Sequence, residues 1–299
     1  MASKPGARFF PTSLPIGTMG DLLAGCVAML ESEGVSEPER EAREIVAAVL
    51  NVPKFWAAAN TIADASPDVA RAVIRAAMKR AAGAPLAYAV SRASFRHLTL
   101  EVDERVLIPR VETEVLVERV LERCDSGTRT IADIGTGSGA IALSLALERE
   151  FERVFATDIS RDALLVAKAN AVSLAEVLKA TVEFRHGSLL APLEGKRMDA
   201  IVCNPPYISF AEIADLPPDV RDWEPSIALL CVDDGLSVTR ELVRRAPASL
   251  ASGGLLALEV DTRRAGTVAE MIAVDGRYGD IEVLLDLTGR ERFVFARRK

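Results

Sequence analysis

The sequence predicts an α/β fold: a doubly wound, mostly parallel sheet of seven strands with an antiparallel edge hairpin, plus a small N-terminal helical bundle. Three observations carry this. From Glu112 onward, apolar runs of strand length alternate with segments of helical period, the pattern of a parallel sheet covered on both faces. The last two strand candidates are separated by Thr288-Gly289 with no helix between them, so they close as an antiparallel hairpin. Up to about Ala82 the chain is alanine-rich and helical in period.

Taken in order, residues 1–17 (Pro5, Gly6, Pro11, Pro15, Gly17) read as a loose lead-in. Thr18 can cap a helix that aligns Met19, Leu22, Leu23, Cys26, Val27 and Leu30 on one face. Ser36 and Glu39 have capping-box spacing, with Pro38 in the first turn of a helix carrying Ile45, Val46, Val49 and Leu50. Ser66-Pro67 opens a third, with Val69, Val73, Ile74, Ala77 and Met78 aligned. Between Pro85 and Ile108 the period changes. Leu98, Leu100 and Val102 alternate with Thr99 and Glu101, and Val106-Leu107-Ile108 is a second apolar run, together expected to form a hairpin bridging two domains. The expected division is therefore a helical domain at 18–84, a hairpin linker at 85–109 and a sheet domain at 110–299. Strands are expected at Thr130–Ile134, Arg153–Asp158, Thr181–His186, Asp199–Cys203, Gly254–Val260, Ile281–Asp286 and Arg292–Ala296. Helices are expected near Thr113–Arg123, Ala140–Glu148, Arg161–Leu174, Leu236–Ala251 and Arg264–Ala273.

Composition narrows the function classes. The 299 residues are 49% hydrophobic and 26% charged, a globular balance. The four cysteines (Cys26, Cys124, Cys203, Cys231) are far apart and there are two histidines, which disfavours a zinc site or a disulfide framework. A net charge of −7 is a poor basis for gripping long nucleic acid through phosphates, and no direct nucleic-acid binding is expected. No apolar stretch approaches the roughly 20 residues of a membrane helix, and the lead-in lacks the pattern of a signal peptide. A cytoplasmic location is expected.

Gly135-Thr136-Gly137-Ser138-Gly139 follows a strand and opens a helix, where glycines permit positive φ and close approach of a ligand to the backbone. Gly135, Gly137 and Ala140 also satisfy the relaxed dinucleotide fingerprint. The preceding Asp133 and the Gly-Thr-Gly-Ser-Gly spelling favour S-adenosyl-L-methionine over a nicotinamide. Asp158 ends the next strand about 20 residues on, where a carboxylate accepts from ribose hydroxyls; capping the following helix is its structural alternative. Ser188 and Leu189 follow the third strand, where the adenine edge would lie.

Asn204-Pro205-Pro206-Tyr207 ends the fourth strand. A carboxamide or aromatic NH2 group is a poor nucleophile because its lone pair is delocalised. The Asn204 side-chain oxygen and the Pro205 carbonyl offer two acceptors for its two N–H donors, which turns the nitrogen lone pair toward a methyl donor. Tyr207 can pack on the planar group. This is catalysis by positioning and fixed dipoles, with no titrating base. It reads as methyl transfer to an amide or amino nitrogen.

With these motifs in place, the chain resembles the HemK/PrmC family, the N5-glutamine methyltransferases of peptide chain release factors. The resemblance covers nearly all residues after about Gly17. It rests on Arg105 to Glu114 (with Leu107-Ile108-Pro109-Arg110), Asp133 to Gly139, Asn204 to Tyr207, Glu224-Pro225 with Ala228-Leu229, Asp234 to Leu236, and Asp286 to Arg290. It implies a class I S-adenosylmethionine-dependent methyltransferase fold for the sheet domain and a helical domain that helps hold the substrate. The implied reaction moves the cofactor's methyl to the side-chain amide of the glutamine in a release factor's Gly-Gly-Gln loop. Cofactor residues map to Gly135–Gly139, Asp158, Ser188, Leu189 and Asn204, and substrate residues to Asn204, Pro205, Pro206 and Tyr207. Asn204, Pro205 and Tyr207 are the catalytic set. The chain departs from the family pattern at Ser91, Ser94, Val111, Ser188, Leu189, Asp261 and Arg264. A glutamine methyltransferase of a ribosomal protein would share every motif, and an adenine-N6 DNA methyltransferase would share the acceptor geometry, though such an enzyme usually carries a basic recognition domain.

Overall fold

The computed structural model describes residues 17–299, which form two compact units, one ending at Val90 and one spanning Ser91–Lys299. Apart from Gly17, the expected lead-in lies outside the described residues.

The first unit is helical: α1 (Met19–Ser32), α2 (Pro38–Leu50), the short α3 (Trp56–Ala59), α4 (Pro67–Ala81) and α5 (Leu86–Ala89). Thr18 and Asp21 form a capping box on α1, and Ser66 caps α4 through the Val69 amide. The box expected at Ser36 and Glu39 does not form. Glu37 is the N-cap of α2, without a side-chain cap bond, and Pro38 supplies the preset first-turn φ instead. Leu22, Leu30, Ile45, Val46 and Val73 meet in one core. Beside it, Glu41 is buried and takes two hydrogen bonds from the Arg80 guanidinium, the fork geometry that makes a buried carboxylate tolerable.

The second unit opens with a hairpin of β1 (Arg92–Phe95) and β2 (Leu98–Glu101). Leu98–Glu101 is a strand as expected, but its partner precedes it. The apolar run at 106–108 is not a strand, because the Ile108 amide is taken by the Glu224 carboxylate at 3.1 Å and Pro109 has no amide to offer a ladder. Then follow α6 (Val111–Arg123), β3 (Thr130–Ile134), α7 (Ala140–Glu148), β4 (Arg153–Asp158), α8 (Arg161–Ser173), β5 (Thr181–His186) and β6 (Met198–Cys203). A two-stranded insertion, β7 (Ile208–Ser209) with β8 (Leu230–Cys231), brackets a 3-10 turn at Phe210–Asp215 and the short helices α9 (Pro218–Trp223) and α10 (Ser226–Leu229). The chain ends with α11 (Ser237–Ser249), β9 (Leu250–Glu259), α12 (Ala265–Asp275), β10 (Tyr278–Leu285) and β11 (Glu291–Arg298).

The seven-stranded sheet runs β10-β11-β9-β6-β3-β4-β5. β5, β4, β3, β6 and β9 pair in parallel, and β11 is antiparallel to both β9 and β10. This is the sheet the sequence predicts. Alternate residues face opposite sides. Ile131, Val154, Val202 and Phe295 pack one face with Leu116 and Val120 of α6 and Ile141 of α7. Ile134, Ile201, Leu256 and Val294 pack the other with Leu242 of α11 and Val268 and Ile272 of α12. The strand order reverses at β3, so the carboxyl ends of β3, β4 and β6 border a crevice, the general ligand position in open α/β sheets.

Candidate active site

Each wall of this crevice has a local cause. The turn after β3 is stitched to β4 by hydrogen bonds from the Gly135 and Thr136 amides to the Thr157 carbonyl, at 2.8 and 2.9 Å. Gly135, Gly137 and Gly139 all have positive φ. A Cβ at Gly135 or Gly137 would meet only open space, and both glycines line the crevice, so their bare backbone faces whatever enters it. Beneath the turn, Asp133 accepts from the Thr136 hydroxyl at 2.6 Å and the Ala142 amide at 3.2 Å. Burial pushes its carboxyl up to about 7, and its Oδ1 has no partner. The Asn170 amide of α8 spans the Ser138 carbonyl and the backbone of Glu101 in β2, locking turn, helix and hairpin together.

Asp158 ends β4 with its carboxylate in the crevice. Its Oδ2 accepts from the Gly137 amide at 2.9 Å and its Oδ1 from the Ser160 amide at 2.8 Å. It does not cap α8, whose N-cap is Ser160, but braces the entry to that helix through the Ser160 amide, and it retains lone pairs toward the cavity. Burial raises its carboxyl pKa, against the pull of those amides. Ser188 and Leu189 border the same crevice, with Leu189 in a left-handed conformation.

The crevice is a cavity of about 400 Å³, enough for a nucleoside-bearing ligand. Gly135, Gly137, Asp158, Ser188, Leu189, Asn204, Pro205 and Pro206 all line it. Thr136 and Ser138 are buried behind it, and Gly139 serves as the N-cap of α7. A second cavity of about 210 Å³ adjoins the Asn-Pro turn and is lined by Tyr207, Arg110, Leu216, Pro217 and Val220 among others. Leu107, Asn204, Pro205 and Ala228 line both cavities.

The two titratable residues closest to Asn204 in the chain are held neutral. Burial pushes the Tyr207 phenol up to about 12 and the Cys203 thiol well above its usual range, so both stay protonated at neutral pH. Among the described residues, no group of three or more His, Cys, Asp or Glu is placed to hold a metal ion, and no helix is long and apolar enough to cross a membrane.

Several contributors were not among the expected site residues. Leu107 and Ala228 form the shared wall, and Glu224 holds the segment before α6 by accepting from the Ile108 amide and from Arg110 at 2.6 Å. The Asn204 amide nitrogen donates to the Thr113 hydroxyl at 3.1 Å, which donates to Glu259 at 2.7 Å. Two signals were available. Thr113 shares a helical face with Leu116, Val117 and Val120, so its hydroxyl must be buried and needs a partner. Glu259 ends an apolar strand, where a carboxylate is costly unless paired.

Comparison with known proteins agrees with this architecture. Residues 21–90 match the family model of the PrmC N-terminal domain, and residues 111–215 match the methyltransferase small domain. The release factor glutamine methyltransferase of Moorella thermoacetica is 42% identical over 283 residues, covering 94% of this chain and 99% of that one. Its counterpart from Deinococcus radiodurans is 39% identical, covering 93% and 98%. Among solved structures, the catalytic domain of hMettl16 shares the fold at a TM-score of 0.51 and 15% identity, covering 78% of this chain and 82% of that one. With full-length relatives at this identity and both family domains present in order, the chain belongs to the release factor glutamine methyltransferase family.

Proposed function

We propose that the protein transfers the methyl group of S-adenosyl-L-methionine to the side-chain amide nitrogen of the glutamine in the Gly-Gly-Gln loop of peptide chain release factors. The observation that carries this reading is the shared wall: a nucleoside-sized cavity and a smaller one meet across Asn204 and Pro205. A donor on one side and a planar amide on the other would face each other there.

The residues fit the cofactor. Gly135 and Gly137 leave a backbone cradle that any side chain would fill, and Asp158 offers carboxylate lone pairs at a strand end. Leu189 and Ile159 give the larger cavity apolar surface for an adenine. When bound, S-adenosylmethionine supplies an electrophilic methyl on a positively charged sulfur.

The chain's own residues do the rest. Asn204 Oδ1 and the Pro205 carbonyl accept the two N–H bonds of the substrate amide, turning its nitrogen lone pair toward the larger cavity. Both dipoles also stabilise the positive charge that grows on nitrogen, and because they are fixed before reaction they cost no reorganisation. Tyr207, Leu216 and Pro217 give the smaller cavity walls that exclude water from the amide. Nothing in this scheme needs a base of raised or lowered pKa. Release factors act in translation, so the enzyme would work in the cytoplasm, on protein and without gripping nucleic acid.

The test is transfer of labelled methyl from S-adenosylmethionine to an unmodified release factor, beside a factor whose loop glutamine is replaced by alanine. Label on the first and none on the second is expected. Label on both, or label only when ribosomal protein or DNA is supplied, would overturn the substrate assignment.

A further inference from the structure

We infer that Thr113 and Glu259 are positioning residues that set which end of the Asn204 carboxamide faces the substrate. The inference rests on the proposed reaction and deepens it. An asparagine side chain has an acceptor end and a donor end of nearly equal size, so packing alone cannot choose between them. Only the oxygen end can accept an N–H from a substrate amide. A flipped Asn204 would present two N–H groups to two N–H groups.

The chain solves this with a directional relay. β6 and β9 pair in parallel with Cys203 opposite Leu258, which sets Asn204 and Glu259 side by side at adjacent strand ends. The first turn of α6 places Thr113 between them. Glu259 when ionised can only accept, so the Thr113 hydroxyl must donate to it, at 2.7 Å. That leaves the Thr113 oxygen as an acceptor, and it takes the Asn204 Nδ2 proton at 3.1 Å. Oδ1 is thereby turned to the cavity side. This is the one hydrogen bond of the Asn204 side chain among the described residues. Thr113 and Glu259 are 5% and 1% exposed, so water does not compete for the relay.

The charges around Glu259 decide when the relay points the right way. Burial pushes its carboxyl up to about 7, helped by Glu112, while the Thr113 hydrogen bond, Arg292 and Arg110 pull it down. The nearby Tyr207 and Cys203 stay neutral. Once protonated, Glu259 becomes a donor, and the direction of the relay is no longer enforced.

The experiment compares Thr113→Val, Thr113→Ser and Glu259→Gln with the wild type. With the release factor as substrate, Thr113→Val should lower kcat about 10- to 100-fold while the Kd for S-adenosylmethionine stays within a factor of about three. Thr113→Ser, which keeps the hydroxyl, should restore most of the loss. Wild-type kcat should fall toward acid through a group near 7, and that inflection should vanish in Glu259→Gln. A substrate-free arm uses asparagine-selective 15N labelling: exchange of the Asn204 side-chain amide protons with water should quicken about tenfold in Thr113→Val. Unchanged exchange in Thr113→Val, or unchanged kcat beside an active wild type, would overturn the relay. A wild type that leaves the glutamine unmethylated would instead overturn the functional reading, while the exchange arm still decides the relay.

Discussion

Asn204 and Asp158 both stand at strand ends in the same cavity, but they are held by different partners and should fail differently. Asn204 reaches the shared wall and donates backwards to Thr113. Replacing it with alanine removes an acceptor that matters most as charge develops, so kcat should fall about 10²- to 10³-fold, with cofactor affinity changed only severalfold. Equal losses in both, in a folded variant, would mean that Asn204 mainly holds the cofactor. Asp158 is tied into the cofactor side by the Gly137 and Ser160 amides. Asp158→Ala should weaken S-adenosylmethionine binding about 10- to 100-fold by calorimetry, one or two charge-assisted hydrogen bonds. Unchanged affinity would remove the ribose role. Both stood out in the sequence as polar residues at strand ends beside turn motifs, and both line the crevice. Thr113 and Glu259 showed in the sequence only as a hydroxyl on an apolar helix face and a carboxylate ending an apolar strand; that they pair with each other, across 146 positions, no local pattern records.

At the scale of elements, the segment after the Asn-Pro-Pro-Tyr turn shows how departures from a family pattern find their reason. Asp261 and Arg264 stood out in the sequence without an account. In the structure Arg264 donates to the Asp234 carbonyl at 2.7 Å and to Glu212 at 2.8 Å, while Arg263 bridges Glu212 and Asp261. Glu212 also accepts from the Ser209 amide. Despite some burial, these donors hold the Glu212 carboxyl down at about 2. The cluster clamps the 3-10 turn that follows the Asn-Pro-Pro-Tyr motif. Gly235 lies in the same clamp: a Cβ there would come within 2.3 Å of the Tyr207 carbonyl, and its φ of 83° is left-handed. Gly235→Ala should therefore cost more than the about 1–3 kcal/mol of backbone strain alone and lower both Tm and kcat; a variant with wild-type Tm would show that this turn yields freely. The strands and long helices were readable from period because each buries a repeating stripe. The partner of β2 and the walls at Leu107 and Ala228 were not, because loop residues owe their places to single long-range bonds such as Glu224 to the Ile108 amide.

Across the whole molecule, two fully buried carboxylates tie stability to pH. Burial raises Asp133 from 3.8 and Glu259 from 4.5, each to about 7. A raised carboxyl pKa means that the folded state keeps a proton the unfolded chain releases. Its contribution is thus complete below about 4 and lost as pH rises toward 7, at up to about 1.4 kcal/mol per pH unit per group. Glu212 acts in the opposite sense, losing its contribution as pH falls from 4.5 toward 2. Stability should therefore decline between pH 5 and pH 7, and Asp133→Asn, which cannot ionise, should flatten part of that slope in thermal unfolding. A wild-type Tm that rises over this interval would contradict the buried, proton-retaining state of these groups. The mostly parallel sheet with its antiparallel edge hairpin was legible before the structure, as was the placing of the glycine turn and the Asn-Pro-Pro-Tyr turn at strand ends, since each follows from strand pattern and turn chemistry; the order of the strands was not. The internal wiring that aims Asn204 emerges only when β6, β9 and α6 are brought together.

The measurement that bears most directly on the central claim is peptide-resolved mass spectrometry of an unmodified release factor after incubation with this protein and S-adenosylmethionine, with Asn204→Ala in parallel. The account predicts a gain of one methylene on the glutamine of the Gly-Gly-Gln peptide, fragment ions locating it on the side-chain amide, and little or none with Asn204→Ala. An unmodified glutamine in the presence of cofactor-bound wild-type protein, or a methyl group on any other residue, would contradict it.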